Sequence, residues 1–180
     1  IWKGLVGSEM CIRDSSYGGS KYLGEVACQH AARDGLELTI VRPFNAYGPR
    51  LVGDDYGQVV SMFFHQMRES KTLKIHGDGS QTRSFTWIDD VVDGFVKAGS
   101  LDLPTGEVFN IGSQEEVSIH QLAEKVANFA DDVEYNFTQG YHGDVSRRLP
   151  DVTNSANLLG WQAKTTLDEG LAMMWESFNS

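Results

Sequence analysis

Residues 36–50 read Leu-Glu-Leu-Thr-Ile-Val-Arg-Pro-Phe-Asn-Ala-Tyr-Gly-Pro-Arg, and this stretch decides the fold. Leu36, Leu38 and Ile40 alternate with polar residues, the period of a half-buried strand over residues 36–42. Pro43 cannot donate to a ladder and ends it. Two prolines and a glycine around Asn45 then make a stiff loop at the carboxyl end of a strand, where α/β folds place their ligands.

Working outward, residues 17–34 read as a helix rich in small residues (Gly19, Gly24, Ala27, Ala31, Ala32), with Gly35 as its C-terminal stop. Beyond the loop, residues 59–69 read as a helix and residues 73–76 as a short strand closed by the turn Gly77-Asp78-Gly79. Residues 83–88 read as extended, and Asp89-Asp90 are expected to cap a helix through Ala98. Residues 107–111 form the next expected strand. Ser118 and Gln121 make a capping box for a helix with Ile119, Ala123, Val126, Ala127 and Ala130 on one face. A strand over 133–137 and a helix over 153–159 stopped by Gly160 follow. A last helix opens on the box Thr166/Glu169 and reaches about Phe178. Strands alternating with helices define an α/β chain with parallel or mixed pairing.

Composition limits the partners. Fifteen Lys+Arg against twenty-five Asp+Glu leave −10, a field that repels nucleic acid and anionic membrane surfaces. No apolar run approaches a bilayer span and no signal peptide opens the chain, so a cytoplasmic location is expected. Cys11 and Cys28 are too few for a secreted disulfide framework. His30, His65, His76, His120 and His142 are scattered without ligand spacing, so no metal site is expected. Residues 1–15 carry neither period, and Val6–Ser15 resembles the translation of sequencing-adapter DNA. The natural sequence is therefore expected to run from about Ser16, with residues 16–180 forming the folded unit.

Three features carry chemistry. Tyr17 and Lys21 stand four apart, so a helix puts phenol and ammonium on one face. A cation beside a phenol favours the phenolate, which suits Tyr17 to move a proton on a substrate hydroxyl; the alternative is a surface Tyr and Lys that share a face. Asn45 either anchors a polar ligand through its amide or satisfies turn backbone. Arg83 offers a guanidinium fork suited to a diphosphate, and Arg147-Arg148 offer another, unless these arginines are simply solvated.

Taken together, Ser15–Glu25, Arg42–Arg50, His76–Gly94, Val108–Ser113, Ser146–Trp161 and Thr165–Leu171 resemble, in order and spacing, the later half of an extended short-chain dehydrogenase/reductase. The resemblance is to the NAD-dependent epimerase/dehydratase family acting on nucleotide sugars, and it covers nearly everything from Ser16 to Phe178. It implies the C-terminal part of a Rossmann-type doubly wound sheet plus a small α/β substrate-binding region. Tyr17 resembles the catalytic acid/base and Lys21 the lysine that tunes it and reaches the nicotinamide ribose. Pro43 and Phe44 match the backbone beside the nicotinamide. Asn45, Arg83 and Arg147 match positions near the substrate diphosphate, and Gln58 and Val59 the stretch flanking the nucleotide base. The resemblance also implies a homodimer through the Tyr17 helix.

Two departures qualify it. Nothing reads G-x-x-G-x-x-G after a strand, and no Ser or Thr stands far enough before Tyr17 to match the family's third catalytic group. The chain therefore looks like an enzyme cut just before its catalytic tyrosine, expected to be inactive alone. The resemblance implies hydride abstraction from a sugar carbon to NAD, followed by epimerisation or dehydration. UDP-glucuronate decarboxylation is the alternative, and a non-catalytic nucleotide-sugar-binding remnant is the rival outside enzymology.

Overall fold

A computed structural model describes residues 16–51, 58–140 and 145–179, with side chains in the first helix described from Gly18 onward. The order is α1 (Ser16–Arg33), β1 (Ile40–Pro43), β2 (Ala46–Tyr47), α2 (Val59–Glu69), β3 (Thr72–His76), β4 (Thr82–Ser84), β5 (Thr86–Trp87) and α3 (Ile88–Ser100). It continues with β6 (Val108–Ile111), β7 (Glu116–Ser118), α4 (Ile119–Ala127), β8 (Glu134–Thr138), β9 (Arg147–Arg148), α5 (Thr153–Leu159) and α6 (Leu167–Phe178). Residues 1–15, on which the expectation of a foreign leader falls, lie outside the described residues.

The α/β expectation holds. β1 pairs parallel with β6, Ile40 opposite Val108 and Pro43 opposite Ile111. β3 pairs parallel with β8 and β2 with β5, while β4 lies between antiparallel β7 and parallel β9. Each parallel pair needs a crossover, and the intervening helices supply it.

Two cores hold these layers. Phe63 and Phe64 of α2, Leu73 and Ile75 of β3, Leu122 of α4 and Leu171 and Met174 of α6 are buried together. Phe109 and Ile111 of β6, Val91 and Ala98 of α3, Leu159 and Trp161 form the second beneath the β1–β6 pair. Each buried Val, Leu, Ile, Phe or Met among them contributes about 1.5–3 kcal/mol relative to exposure. Gly94 is one condition for it: a Cβ there would stand 2.8 Å from Ile111 Cδ1.

Several boundaries came directly from local chemistry. Gly35 takes φ 99° and closes α1 with Gly35 N–H to Ala32 O and Leu36 N–H to Ala31 O, the paired bonds of a left-handed helix stop. Both capping boxes form, Ser118 with Gln121 and Thr166 with Glu169. Two expectations are corrected. The strand expected from Leu36 begins at Ile40, because Leu36 N–H is used in the helix stop and Leu36 O and Leu38 N–H bond the Thr105 hydroxyl at 2.8 and 3.0 Å. Asp89 and Asp90 do not cap α3; they lie in its first turn, and Trp87 is the N-cap, without a side-chain capping bond. Asp90 is instead buried and its Oδ2 accepts from Lys164 N–H and Thr165 N–H at 3.1 and 2.9 Å. No helix among the described residues is long and apolar enough to cross a membrane.

Candidate active site

The site is built on the carboxyl end of β1. Phe44 N–H donates to Ile111 O of β6 at 2.9 Å, and Phe44 O accepts the Thr86 hydroxyl at 2.8 Å. The same hydroxyl oxygen accepts Ser113 N–H at 3.0 Å, so one Thr ties together the ends of β1, β5 and β6. Asn45 stands at φ 40°, a left-handed conformation that Asn tolerates better than most side chains. Its Nδ2 donates to Ser84 O at 2.7 Å and its O accepts Thr86 N–H at 3.2 Å. Of the two sequence alternatives for Asn45, the structure displays the backbone one, and it fastens the loop to the strand carrying Arg83.

Gly112 brings the third wall close. A Cβ there would lie 2.6 Å from Pro150 Cγ and 3.0 Å from Phe44 Cβ. The Arg147–Pro150 stretch is therefore pressed against the Phe44 loop.

The arginines separate by strand register. In the parallel pair β4–β9, Thr82 stands opposite Arg147 and Arg83 opposite Arg148. Alternate residues of a strand face opposite sides, so Arg83 and Arg148 share one face and Thr82 and Arg147 the other. Glu116 of β7 joins the second group: its carboxylate takes Nε and Nη2 of Arg147 at 2.8 Å each, and Oε1 also takes the Thr82 hydroxyl at 2.6 Å. The bidentate Arg147 contact, helped by Thr82, pulls the Glu116 carboxyl down to about 2. Arg147 thus carries its counter-ion on the protein. Arg83 is only 8% exposed, held by Nη1 to Thr82 O at 2.7 Å. Arg83 and Arg148 are thus cross-strand neighbours on one face of the sheet.

Helix α1 places Tyr17 and Lys21 in its first two turns; the Tyr17 side chain lies outside the described residues, and Lys21 is exposed. The helix is joined to β1 by Arg42, whose Nε donates to Glu25 Oε1 at 2.7 Å and whose Nη2 donates to Glu25 Oε2. Arg42 directly precedes Pro43, which is exposed at the strand end. Gln58 is the exposed N-cap of α2 and makes no side-chain cap bond; Val59 packs half-buried against the larger core. The Ser61 hydroxyl donates to Leu51 O at 2.7 Å, linking the first turn of α2 to the end of the Asn45 loop.

The structure therefore gathers Pro43, Phe44, Asn45 and Arg83, and adds Thr86, Ser113, Glu116 and Arg148. Reading Ser146–Asp151 as a strand would have separated its two arginines by alternation. Thr86 and Ser113 carry no such signal, because their role depends on three strand ends meeting. Among the described residues no group of three His, Cys, Asp or Glu is placed to hold a metal.

A loop at the carboxyl ends of parallel strands stands where α/β proteins place their ligands. The family model for the NAD dependent epimerase/dehydratase family matches residues 7–112, and the chain belongs to that family, whose solved structures share its Rossmann-type fold. It is 39% identical over 145 residues to UDP-glucuronic acid decarboxylase 5 of Arabidopsis thaliana, covering 80% of this chain and 42% of that protein. The structure of UDP-glucose 4-epimerase with UDP-glucose from Thermotoga maritima matches with a TM-score of 0.83 at 33% identity, over 91% of this chain and 53% of that one. UDP-glucuronic acid 4-epimerase from Bacillus cereus, in complex with UDP-glucuronic acid and NAD, matches with a TM-score of 0.80 at 33% identity, over 92% and 52%. The chain spans about half the length of these relatives.

Proposed function

We propose that the chain is the substrate-side half of an NAD-dependent enzyme that oxidises a nucleotide-sugar carbon during epimerisation or dehydration. The observation that carries the reading is the Arg83–Arg148 pair beside the Asn45 loop. Two guanidinium groups on one sheet face suit a diphosphate, whose charge they neutralise bidentately. Register favours Arg148 for the place beside Arg83; Arg147, expected there from sequence, is paired with Glu116 on the other face. Asn45 borders the same anion, and Gln58 and Val59 flank the base.

Lys21 is exposed on its helix and Pro43 exposed at the strand end beside the half-buried Phe44, an arrangement that fits the nicotinamide end of NAD; the described residues hold no glycine-rich cradle for its diphosphate. When bound, NAD supplies a hydride acceptor. Tyr17 takes the proton from the sugar hydroxyl, and the Lys21 ammonium one turn along favours its phenolate. Pro43, with no N–H to donate, and the doubly bonded Phe44 backbone keep that wall rigid. UDP-glucuronate decarboxylation is the second reading, favoured by the 39% identity to a decarboxylase. We place the homodimer contact on the face of α1 where Leu23 and Ala27 are exposed, and the protein in the cytoplasm.

Calorimetry of this chain with UDP-glucose and UDP-glucuronate tests the anion site. Weak binding that Arg83→Ala reduces about tenfold is expected, from the loss of one charged hydrogen-bond donor. No heat with either ligand overturns the assignment. In the full-length protein Tyr17→Phe abolishes turnover and preserves binding; unchanged turnover would leave only a binding protein.

A further inference from the structure

Most helices in folded proteins are held by an apolar face. Helix α1 is not: among its described side chains only Ala32 is buried. Two polar contacts tie it to the rest of the chain. Gln29 Nε2 donates to Gly106 O at 2.8 Å near the helix end, and Glu25 receives both Nε and Nη2 of Arg42 in the middle. Glu25 lies one turn beyond Lys21 and so shares its face. Both members of the ion pair are about three-quarters shielded from solvent, which strengthens the pair relative to a surface one. Arg42 in turn sits one residue before the Pro43–Asn45 loop, in register with Asn110 of β6.

We infer that Glu25 and Arg42 are a positioning pair that sets the Tyr17–Lys21 helix against the Pro43–Asn45 loop. The role rests on the reading of Tyr17 and Lys21 as the proton-transfer pair. The fork geometry matters as much as the charge: two parallel N–H···O bonds fix both distance and rotation, where a single contact leaves the helix free to slide or roll. Neither residue meets the substrate. Their effect is on the distance between the phenol and a hydroxyl held by the loop, and displacement of a reacting group by about 1 Å is enough to cost about a hundredfold in rate.

The experiment uses the full-length protein, with kcat and KM for the nucleotide sugar measured per titrated binding site, alongside Tyr17→Phe. Glu25→Gln lowers kcat about ten- to a hundredfold with KM within about twofold of the parent. Arg42→Lys, which keeps the charge and loses the fork, shows the same split and serves where Glu25→Gln does not fold. The reciprocal exchange Glu25→Arg with Arg42→Glu restores part of kcat, and amide exchange in α1 quickens in the single variants and slows again in the exchanged one. A kcat equal to the parent's in Glu25→Gln, with Tyr17→Phe inactive, overturns the positioning role and leaves the site reading standing. Parent turnover in Tyr17→Phe removes the proton-transfer reading and the positioning role with it.

Discussion

Arg83 and Arg148 face each other across the parallel pair β4–β9, on the opposite side of the sheet from Arg147. Two adjacent residues of one strand therefore meet different surroundings on the two faces of the sheet. Arg147 is matched by Glu116 through two 2.8 Å bonds, whereas Arg148 is placed beside another cation.

That relationship separates their substitutions. Arg148→Ala is expected to weaken UDP-glucose binding about ten- to a hundredfold, the scale of a charged hydrogen bond. Arg147→Ala is expected to change it less than about threefold, since that guanidinium stands on the opposite face of the sheet from Arg83. Calorimetry on both variants decides. Equal losses, or a larger loss for Arg147→Ala, would remove the register argument.

The Glu116 cluster also titrates. Its carboxyl lies near 2 in the fold against an ordinary 4.5, chiefly through Arg147 and then Thr82. A depressed carboxyl contributes stability above its unfolded pKa and loses it as pH falls through the folded one. Denaturant unfolding of the parent and Glu116→Gln should then differ by a constant amount above about pH 4.5, with the gap closing toward pH 2. A gap that widens on acidification would contradict the cluster.

Much of this was legible where chemistry is local. The two capping boxes, the Gly35 and Gly160 stops and the span of α2 follow from residues within one or two turns of each other. What escaped depended on partners far along the chain. Leu36–Thr39 has the strand period, yet the Thr105 hydroxyl meets its backbone. Asp89-Asp90 look like a cap, yet Asp90 is claimed by a segment more than seventy residues on. Likewise Asn45 and Arg83 could be named, but not the strand pairing that divides Arg147 from Arg148.

Gly170 carries a prediction whose sign opposes helix propensity. In α6 an exposed Gly→Ala change would stabilise by about 1 kcal/mol. Here the added Cβ would stand 2.0 Å from Tyr47 Oη and 2.8 Å from Cζ, and Tyr47 is a buried ring packed edge-on to Trp87 and Phe85. Burial, with Glu115 the leading charge nearby, pushes the Tyr47 phenol well above its ordinary value, so it stays neutral and donates to Leu167 O. Gly170→Ala should destabilise by about 1–3 kcal/mol through overpacking, and Tyr47→Phe in the same chain should recover part by removing the nearest atom. Thermal unfolding of the single and double variants tests this; a raised midpoint in Gly170→Ala would mean that the α6–Tyr47 contact is looser than described.

Asp90 joins α3 to the segment that follows α5. Its Oδ2 holds Lys164 and Thr165 N–H, and its main-chain O accepts Trp161 Nε1 at 2.9 Å. The connection between α5 and α6 is thereby pinned to the first turn of α3, which itself follows directly from β5 and its Thr86 hydroxyl. Asp90→Ala leaves two N–H groups without their acceptor and should cost about 1–3 kcal/mol. Asp90→Asn keeps an acceptor oxygen of the same shape and should cost less. Because Trp161 bonds the main chain of Asp90, its fluorescence should change little in either variant until global unfolding. An early, separate Trp161 transition in Asp90→Ala would show instead that the carboxylate, and not the indole, anchors that segment.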